Sequence, residues 1–147
     1  MKPVETWILI ADGARARVLA NRGTGKGLAE VEGMSVAAEH LANRQIMADR
    51  QGRTLNSATH MRHALAYPTD PKRHREQGFA ASLAKRLEQA VNRFDRLILV
   101  AAPATLGDLR QVLPARVRSK VVGELAKDLT HIEDEKIAPH VSHLIAL

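Results

Sequence analysis

Two unbroken apolar runs of strand length stand out in the hydropathy pattern. Trp7–Ala11 and Leu97–Ala101 are each typical of a strand that is covered on both faces of a sheet. Asp12 and Gly13 follow the first run and predict a tight turn, in which the glycine supplies a positive φ. Apolar and polar residues then alternate over Ala14–Leu19, which predicts a strand with one buried and one wet face. We therefore expect a hairpin whose first strand lies in mid-sheet.

A glycine-rich bend and a third strand follow this hairpin. Residues 21–27 contain three glycines and are expected to form a plain loop, because they lead into a strand over 28–34, whereas a phosphate-cradling loop opens a helix. Regular periodicity then fails, which predicts a long connection at about 35–75. A connection of that length in a compact domain is typically functional or mobile.

The clearest helix signal comes after this connection. Asp70 has the character of an N-cap and Pro71 that of a first-turn residue. Apolar residues at every fourth position carry the helix to about Asn92 and give it one buried stripe. These apolar residues are Phe79, Leu83, Leu87 and Val91.

The remaining signals complete an alternating pattern. A short helix is expected over 105–113 and an edge strand over 120–125. Thr130 and Glu133 have capping-box spacing and predict a final helix. The order βββαβαβα indicates an α/β fold, a five-stranded mixed sheet flanked by helices, in one domain over residues 1–147.

Composition narrows the chemistry. The chain of 147 residues has no cysteine, which excludes disulfides, thiolate metal sites and a cysteine nucleophile. No apolar run reaches the roughly 18 residues of a membrane span, and the N-terminus lacks the pattern of a secretory signal. We therefore expect a cytoplasmic protein without a membrane span.

Most of the positive charge falls in the long connection. The whole chain has a formal charge of +6, and the stretch Arg44–Arg75 contains seven basic and two acidic residues. Such a cluster favours contact with backbone phosphates, although a solvated loop is the plainer interpretation. Tyr67 is the single aromatic residue there, which argues against base stacking. The candidate nucleic-acid-binding residues are Arg50, Arg53, Arg62, Lys72, Arg73 and Arg75.

Two groups of residues offer metal ligands. His60, His63 and His74 lie near Asp70 in sequence, but no helix is evident around the first two, so we expect solvent-facing loop histidines. Asp12 ends a central strand, where ligand sites gather in open sheets, although a turn carboxylate explains it more simply. The serines lack the context of a nucleophile elbow. We predict neither a cofactor nor a resident metal.

Several stretches of the chain together resemble the bacterial host attachment protein family. The likeness spans almost the whole chain. It is carried by Trp7–Val18, Ala48–Arg53, Asp70-Pro71 before Phe79-Ala80, Ala102–Arg110 and Lys127–Thr130.

That family is similar in turn to the middle domain of archaeal and eukaryotic class 1 peptide-chain release factors. The resemblance implies a ribonuclease-H-like sheet with flanking helices. The Gly-Gly-Gln motif with which those factors release peptides is absent from Lys72–Gly78. Peptidyl-tRNA hydrolysis is therefore not expected, and no carboxylate cluster for two metal ions is evident from the sequence.

Three functions remain open. The first is a non-catalytic, release-factor-like protein that binds ribosome or RNA phosphates through the basic connection. The second, implied by the family name, is an attachment protein that acts directly or indirectly at the cell surface, with acidic polysaccharide as its partner. The third is a small metal-dependent hydrolase that uses Asp12 or the histidines. Whether the protein is an enzyme is left open, with a non-enzyme favoured.

Overall fold

The computed structural model describes residues 3–38 and 70–147 of the chain. Within these ranges the strands are β1 (Thr6–Ala11), β2 (Arg15–Asn21), β3 (Ala29–Glu30), β4 (Val36–Ala37), β5 (Arg96–Ala101) and β6 (Val121–Leu125). The α-helices are α1 (Pro71–Gln89), α2 (Pro103–Val112), α3 (Ala115–Arg118) and α4 (Ala138–Val141), with 3-10 turns at Val91–Arg93 and Asp134–Lys136.

The strands form one mixed sheet in the order β3-β2-β1-β5-β6, with β4 also paired to β2. β1 is antiparallel to β2, and β1, β5 and β6 run parallel to one another. The α/β class, the mixed sheet and the central position of β1 are confirmed. The described residues form six strands where five are predicted, because Val36–Ala37 adds a short β4 at the start of the supposed connection.

Helices cover one face of the sheet. The odd-numbered residues of β1 and β5, such as Leu9 and Leu99, pack with Leu87 of α1 and Leu109 of α2 in one buried cluster. We call α1, α2 and α3 the helical layer. Asp70 starts α1, because its Oδ1 accepts a hydrogen bond from the Lys72 amide at 3.0 Å. The predicted N-cap is therefore confirmed.

Residues 126–147 cover the opposite face and are called the C-terminal layer. Ile137 and Val141 are fully buried there against Ile8, Ile98 and their neighbours in β1 and β5. This cover corrects the prediction that β2 has one wet face. Leu19 is fully buried on that side of β2.

Two local predictions are wrong. Gly13 does not have a positive φ; the Asp12 carboxylate makes the hairpin turn by accepting hydrogen bonds from two backbone amides. Thr130 does not cap a helix, because its hydroxyl contacts two aspartates and the chain first turns into a 3-10 segment at Asp134. In both places a side-chain carboxylate accepts the local hydrogen bonds, in place of the glycine conformation predicted at Gly13 and the helix cap predicted at Thr130.

The glycine-rich bend does form a loop ahead of β3, as predicted, although β3 is shorter than the 28–34 expected. Gly23, Gly25 and Gly27 all adopt positive φ there. Residues 39–69, which hold most of the predicted connection, lie outside the described residues. None of the helices in the described ranges has the length and apolar character needed to cross a bilayer.

Candidate functional site

The carboxyl ends of three parallel strands meet at one edge of the sheet. Asp12 follows β1, Pro103 opens α2 directly after β5, and Asp128 lies three residues beyond β6. In open α/β sheets, ligands bind at this edge because the loops that leave the strands converge there. The edge is therefore the first place to look for a functional site.

Asp12 uses its two carboxylate oxygens differently. Oδ1 accepts hydrogen bonds from the amides of Ala14 and Arg15 at 2.8 and 2.7 Å, which closes the β1–β2 turn. Oδ2 lies 3.2 Å from the hydroxyl of Thr130, on the far side of the turn. The turn and ligand interpretations of Asp12 are thus compatible, since each concerns a different oxygen.

The loop after β6 brings Asp128 and His131 to Asp12. The ligand atoms of these three residues all lie within 4.8 Å of one another, with Asp12 half-buried and the other two exposed. Thr130 lies between the carboxylates, and its hydroxyl is 2.5 Å from Asp128 Oδ1. We call Asp12, Asp128 and His131 the carboxyl-edge cluster. Within the described ranges it is the one group of three such ligands.

Asp128 is held in its ionised form. Hydrogen bonds from the Thr130 hydroxyl, and less strongly from its amide, lower the pKa of Asp128, with burial opposing them and His131 and Arg15 adding favourable charge. A carboxylate stabilised in this way stays negatively charged at neutral pH. The edge of the sheet therefore presents at least one fixed negative charge.

Arg17 holds the loop that carries this cluster. From the middle of β2 its Nε donates to Asp134 at 2.8 Å, and its terminal nitrogens donate to the carbonyls of Thr130 and Ile132. The Arg17 side chain is only 17% exposed. A shallow cavity of about 300 Å³ adjoins the loop and is lined by Arg15, Arg17, Val36 and Thr130, among others.

The structure separates the predicted phosphate-binding residues. Lys72 and Arg75 are exposed on the first turns of α1, and within the described part of the chain neither makes an ion pair. Arg73 instead binds both oxygens of Asp108 at 2.8 and 3.1 Å and Glu76 at 2.9 Å. The hydrogen bonds that the guanidinium donates to these two carboxylates, the Asp108 bonds first, raise the pKa of Arg73. Arg50, Arg53 and Arg62 lie outside the described residues.

The predicted histidine site is tested only in part. His60 and His63 lie outside the described residues, and His74 is exposed on α1. Asp70 uses one of its oxygens as the N-cap of that helix. Within the described residues, His74 and Asp70 therefore belong to no group of three possible metal ligands.

Sequence reasoning missed Asp128 and His131. His131 lies in the first turn of the predicted final helix and Asp128 lies just before its predicted cap, and both are far from Asp12 along the chain. The topology could have identified them, because residues that follow a strand parallel to β1 lie at the same edge of the sheet as Asp12.

Comparison with protein families identifies a match over most of the chain. The family model described as "Protein required for attachment to host cells" matches residues 7–141, from within β1 to the end of α4. The resemblance to the host attachment family is thereby confirmed, whereas the relation to release factors stays a prediction. A search of curated proteins finds no match.

Proposed function

We propose that this chain, which belongs to the family described as proteins required for attachment to host cells, takes part in such attachment. The match over residues 7–141 carries the proposal, because it includes the whole sheet apart from the first residue of β1, the whole helical layer and residues 126–141 of the C-terminal layer. The family description names a process and leaves the contact surface open. The charges of the described residues suggest where that surface lies.

The start of α1 is the surface that we propose for an acidic polysaccharide. Lys72 and Arg75 are three residues apart, so they lie on the same side of the helix, and both are exposed. The amino end of a helix also carries partial positive charge, which favours anions. Arg50, Arg53 and Arg62, which lie outside the described residues, are proposed to bind the same polysaccharide.

An adherence assay tests the attachment role. Cells that lack the gene are expected to adhere poorly to host cells, and wild-type protein is expected to restore adherence. The double variant Lys72→Ala/Arg75→Ala should restore it less. Lys26→Ala/Lys85→Ala removes two charges from exposed positions elsewhere and should restore it fully. Normal adherence without the gene would contradict the proposal.

Binding to an acidic polysaccharide isolates the surface from the cellular process. Purified protein is expected to bind heparin, and the affinity should fall steeply with salt because the contacts are electrostatic. The Lys72→Ala/Arg75→Ala variant should bind several-fold more weakly than the Lys26→Ala/Lys85→Ala control. Equal binding by the two variants would exclude the start of α1 as the polysaccharide surface.

A second candidate function uses the same exposed pair on a different polyanion. We propose, in this case, a ribonuclease-H-like, release-factor-related protein of the cytoplasm that binds ribosome or RNA phosphates without catalysis. The mixed strand order, with hairpin strands on one side of β1 and crossover strands on the other, supports that fold. Lys72 and Arg75 could meet phosphates as readily as sulfates.

Cell fractionation and ribosome sedimentation separate the two candidates. Protein on the cell exterior that ignores ribosomes at low salt would favour polysaccharide contact. Protein confined to the cytoplasm that co-sediments with ribosomes, and loses this on Lys72→Ala/Arg75→Ala substitution, would favour the RNA candidate. The affinity for ribosomes should fall steeply as the salt concentration rises, as expected when binding displaces counterions from phosphates.

A further inference from the structure

We infer that Asp12, Asp128 and His131 form a binding site for one divalent transition-metal cation at the carboxyl edge of the sheet. No resident metal is predicted from the sequence, because His60, His63 and His74 are interpreted as loop histidines and Asp12 as a turn carboxylate. Folding brings the side chains of Asp12, Asp128 and His131 together, with their ligand atoms within 4.8 Å of one another. This inference does not depend on the proposed function.

The spacing of the three side chains suits a single ion. Metal-to-ligand distances of roughly 2.0–2.2 Å place neighbouring ligands about 3–4 Å apart around a zinc-sized ion. Asp128 and His131 are exposed, so small rotations of their side chains can close the remaining gap. Asp12 is half-buried and is fixed through Oδ1, which makes it the rigid part of the site.

The single hydroxyl hydrogen of Thr130 cannot satisfy both neighbouring carboxylates, which is a second reason to place a cation there. The Thr130 hydroxyl lies 2.5 Å from Asp128 Oδ1 and 3.2 Å from Asp12 Oδ2, yet a hydroxyl has only one hydrogen to donate. The shorter contact takes it. Asp12 Oδ2 then faces oxygen lone pairs, and within the described residues the nearest cationic nitrogen is Arg15 Nε at 3.9 Å. A metal ion would satisfy this oxygen directly.

The ligand types indicate the class of metal. Two carboxylates alone would suit magnesium or calcium, whereas an imidazole favours first-row transition metals such as zinc. Three protein ligands also leave a position open for water or an anionic ligand, as in catalytic zinc sites. Arg15, whose side chain is 56% exposed, borders both the cluster and the adjoining cavity and could contact such an anion.

Titration calorimetry on tag-free protein tests the site, with Zn²⁺ and Mn²⁺ added in separate experiments. One equivalent of at least one of these ions is expected to bind and to raise the melting temperature. Asp128→Asn and His131→Ala should each weaken binding at least about tenfold. Asp12→Asn should do the same while keeping the turn, because an amide oxygen can still accept the Ala14 and Arg15 hydrogen bonds.

Two controls assign the metal to this cluster. His143→Ala removes an exposed histidine of the C-terminal layer and should leave binding unchanged. His60→Ala/His63→Ala removes the alternative ligands and should also leave it unchanged. Absence of binding by folded wild-type protein, full binding by His131→Ala, or loss of binding in the His60→Ala/His63→Ala variant would each overturn the inference.

Discussion

The two layers that cover the sheet reach equal burial by different means. The helical layer buries Leu87 at 1% exposure on a helix of 19 residues. The C-terminal layer buries Ile137 at 0% beside one 3-10 turn and one short helix. Its loop is held instead by the side chain of Arg17 on backbone carbonyls. Regular structure is therefore not needed to seal this sheet, and the irregular layer supplies two of the three residues of the carboxyl-edge cluster, Asp128 and His131.

The largest expected effect tests whether the two layers are equally important for stability. Leu87→Ala and Ile137→Ala each remove a fully buried side chain and leave a cavity, so each should lower the free energy of unfolding by about 2–5 kcal/mol. Denaturant unfolding followed by far-UV circular dichroism measures both. A loss for Ile137→Ala well under 1 kcal/mol would show that the C-terminal layer detaches before the sheet unfolds.

The same contrast explains how much of the fold can be predicted from the sequence. Apolar runs and fourfold spacing identify β1, β5 and α1, because their buried residues follow the period of the element itself. Residues 126–147 lack that period. Their apolar side chains are positioned by tertiary contacts such as those of Arg17, which no local pattern encodes, so the predicted final helix is replaced by a 3-10 turn and α4.

The next largest effect tests the role of Arg17 in the C-terminal layer. Arg17→Lys keeps the charge but cannot reproduce hydrogen bonds to Asp134 and two carbonyls, so the free energy of unfolding should fall by about 2 kcal/mol. Hydrogen exchange should quicken over residues 128–134 and remain slow in α1. Local exchange that does not change would show that this loop is held by its apolar contacts alone.

Arg22→Lys is the matched control for Arg17→Lys. Arg22 directly follows β2, is 57% exposed and pairs with Glu5 at 3.3 Å. Exposed ion pairs contribute little, so its replacement should change the free energy of unfolding by less than about 1 kcal/mol. A loss as large as that of Arg17→Lys would mean that the substitution itself, rather than the layer, causes the effect.

Asp12 is the one residue of the carboxyl-edge cluster that could be predicted from the sequence. Asp12 follows an apolar run, so its place at a strand end can be inferred from the sequence alone. Asp128 and His131 reach it because β5 and β6 are parallel to β1, a relation between distant segments. Arg73 and Arg75 carry the same charge, so the sequence alone does not distinguish them. Only the tertiary structure shows that Arg73 pairs with Asp108 whereas Arg75 is exposed.

The smallest expected effects come from replacing two glycines that the covering layers approach closely. They compare the packing of the helical layer against the hairpin turn with the packing of the C-terminal layer against the sheet. A Cβ at Gly13 would lie 2.6 Å from Oε2 of Glu76, which Arg73 holds in place, so Gly13→Ala should destabilise the protein by about 1 kcal/mol. A Cβ at Gly123 would lie 3.2 Å from Cδ2 of Leu144, a half-buried side chain that can move aside. Gly123→Ala should therefore be neutral or slightly stabilising, because alanine also restricts the unfolded chain. Thermal melts of both variants measure the difference, and a larger loss for Gly123→Ala would show that the irregular layer is the more rigidly packed of the two.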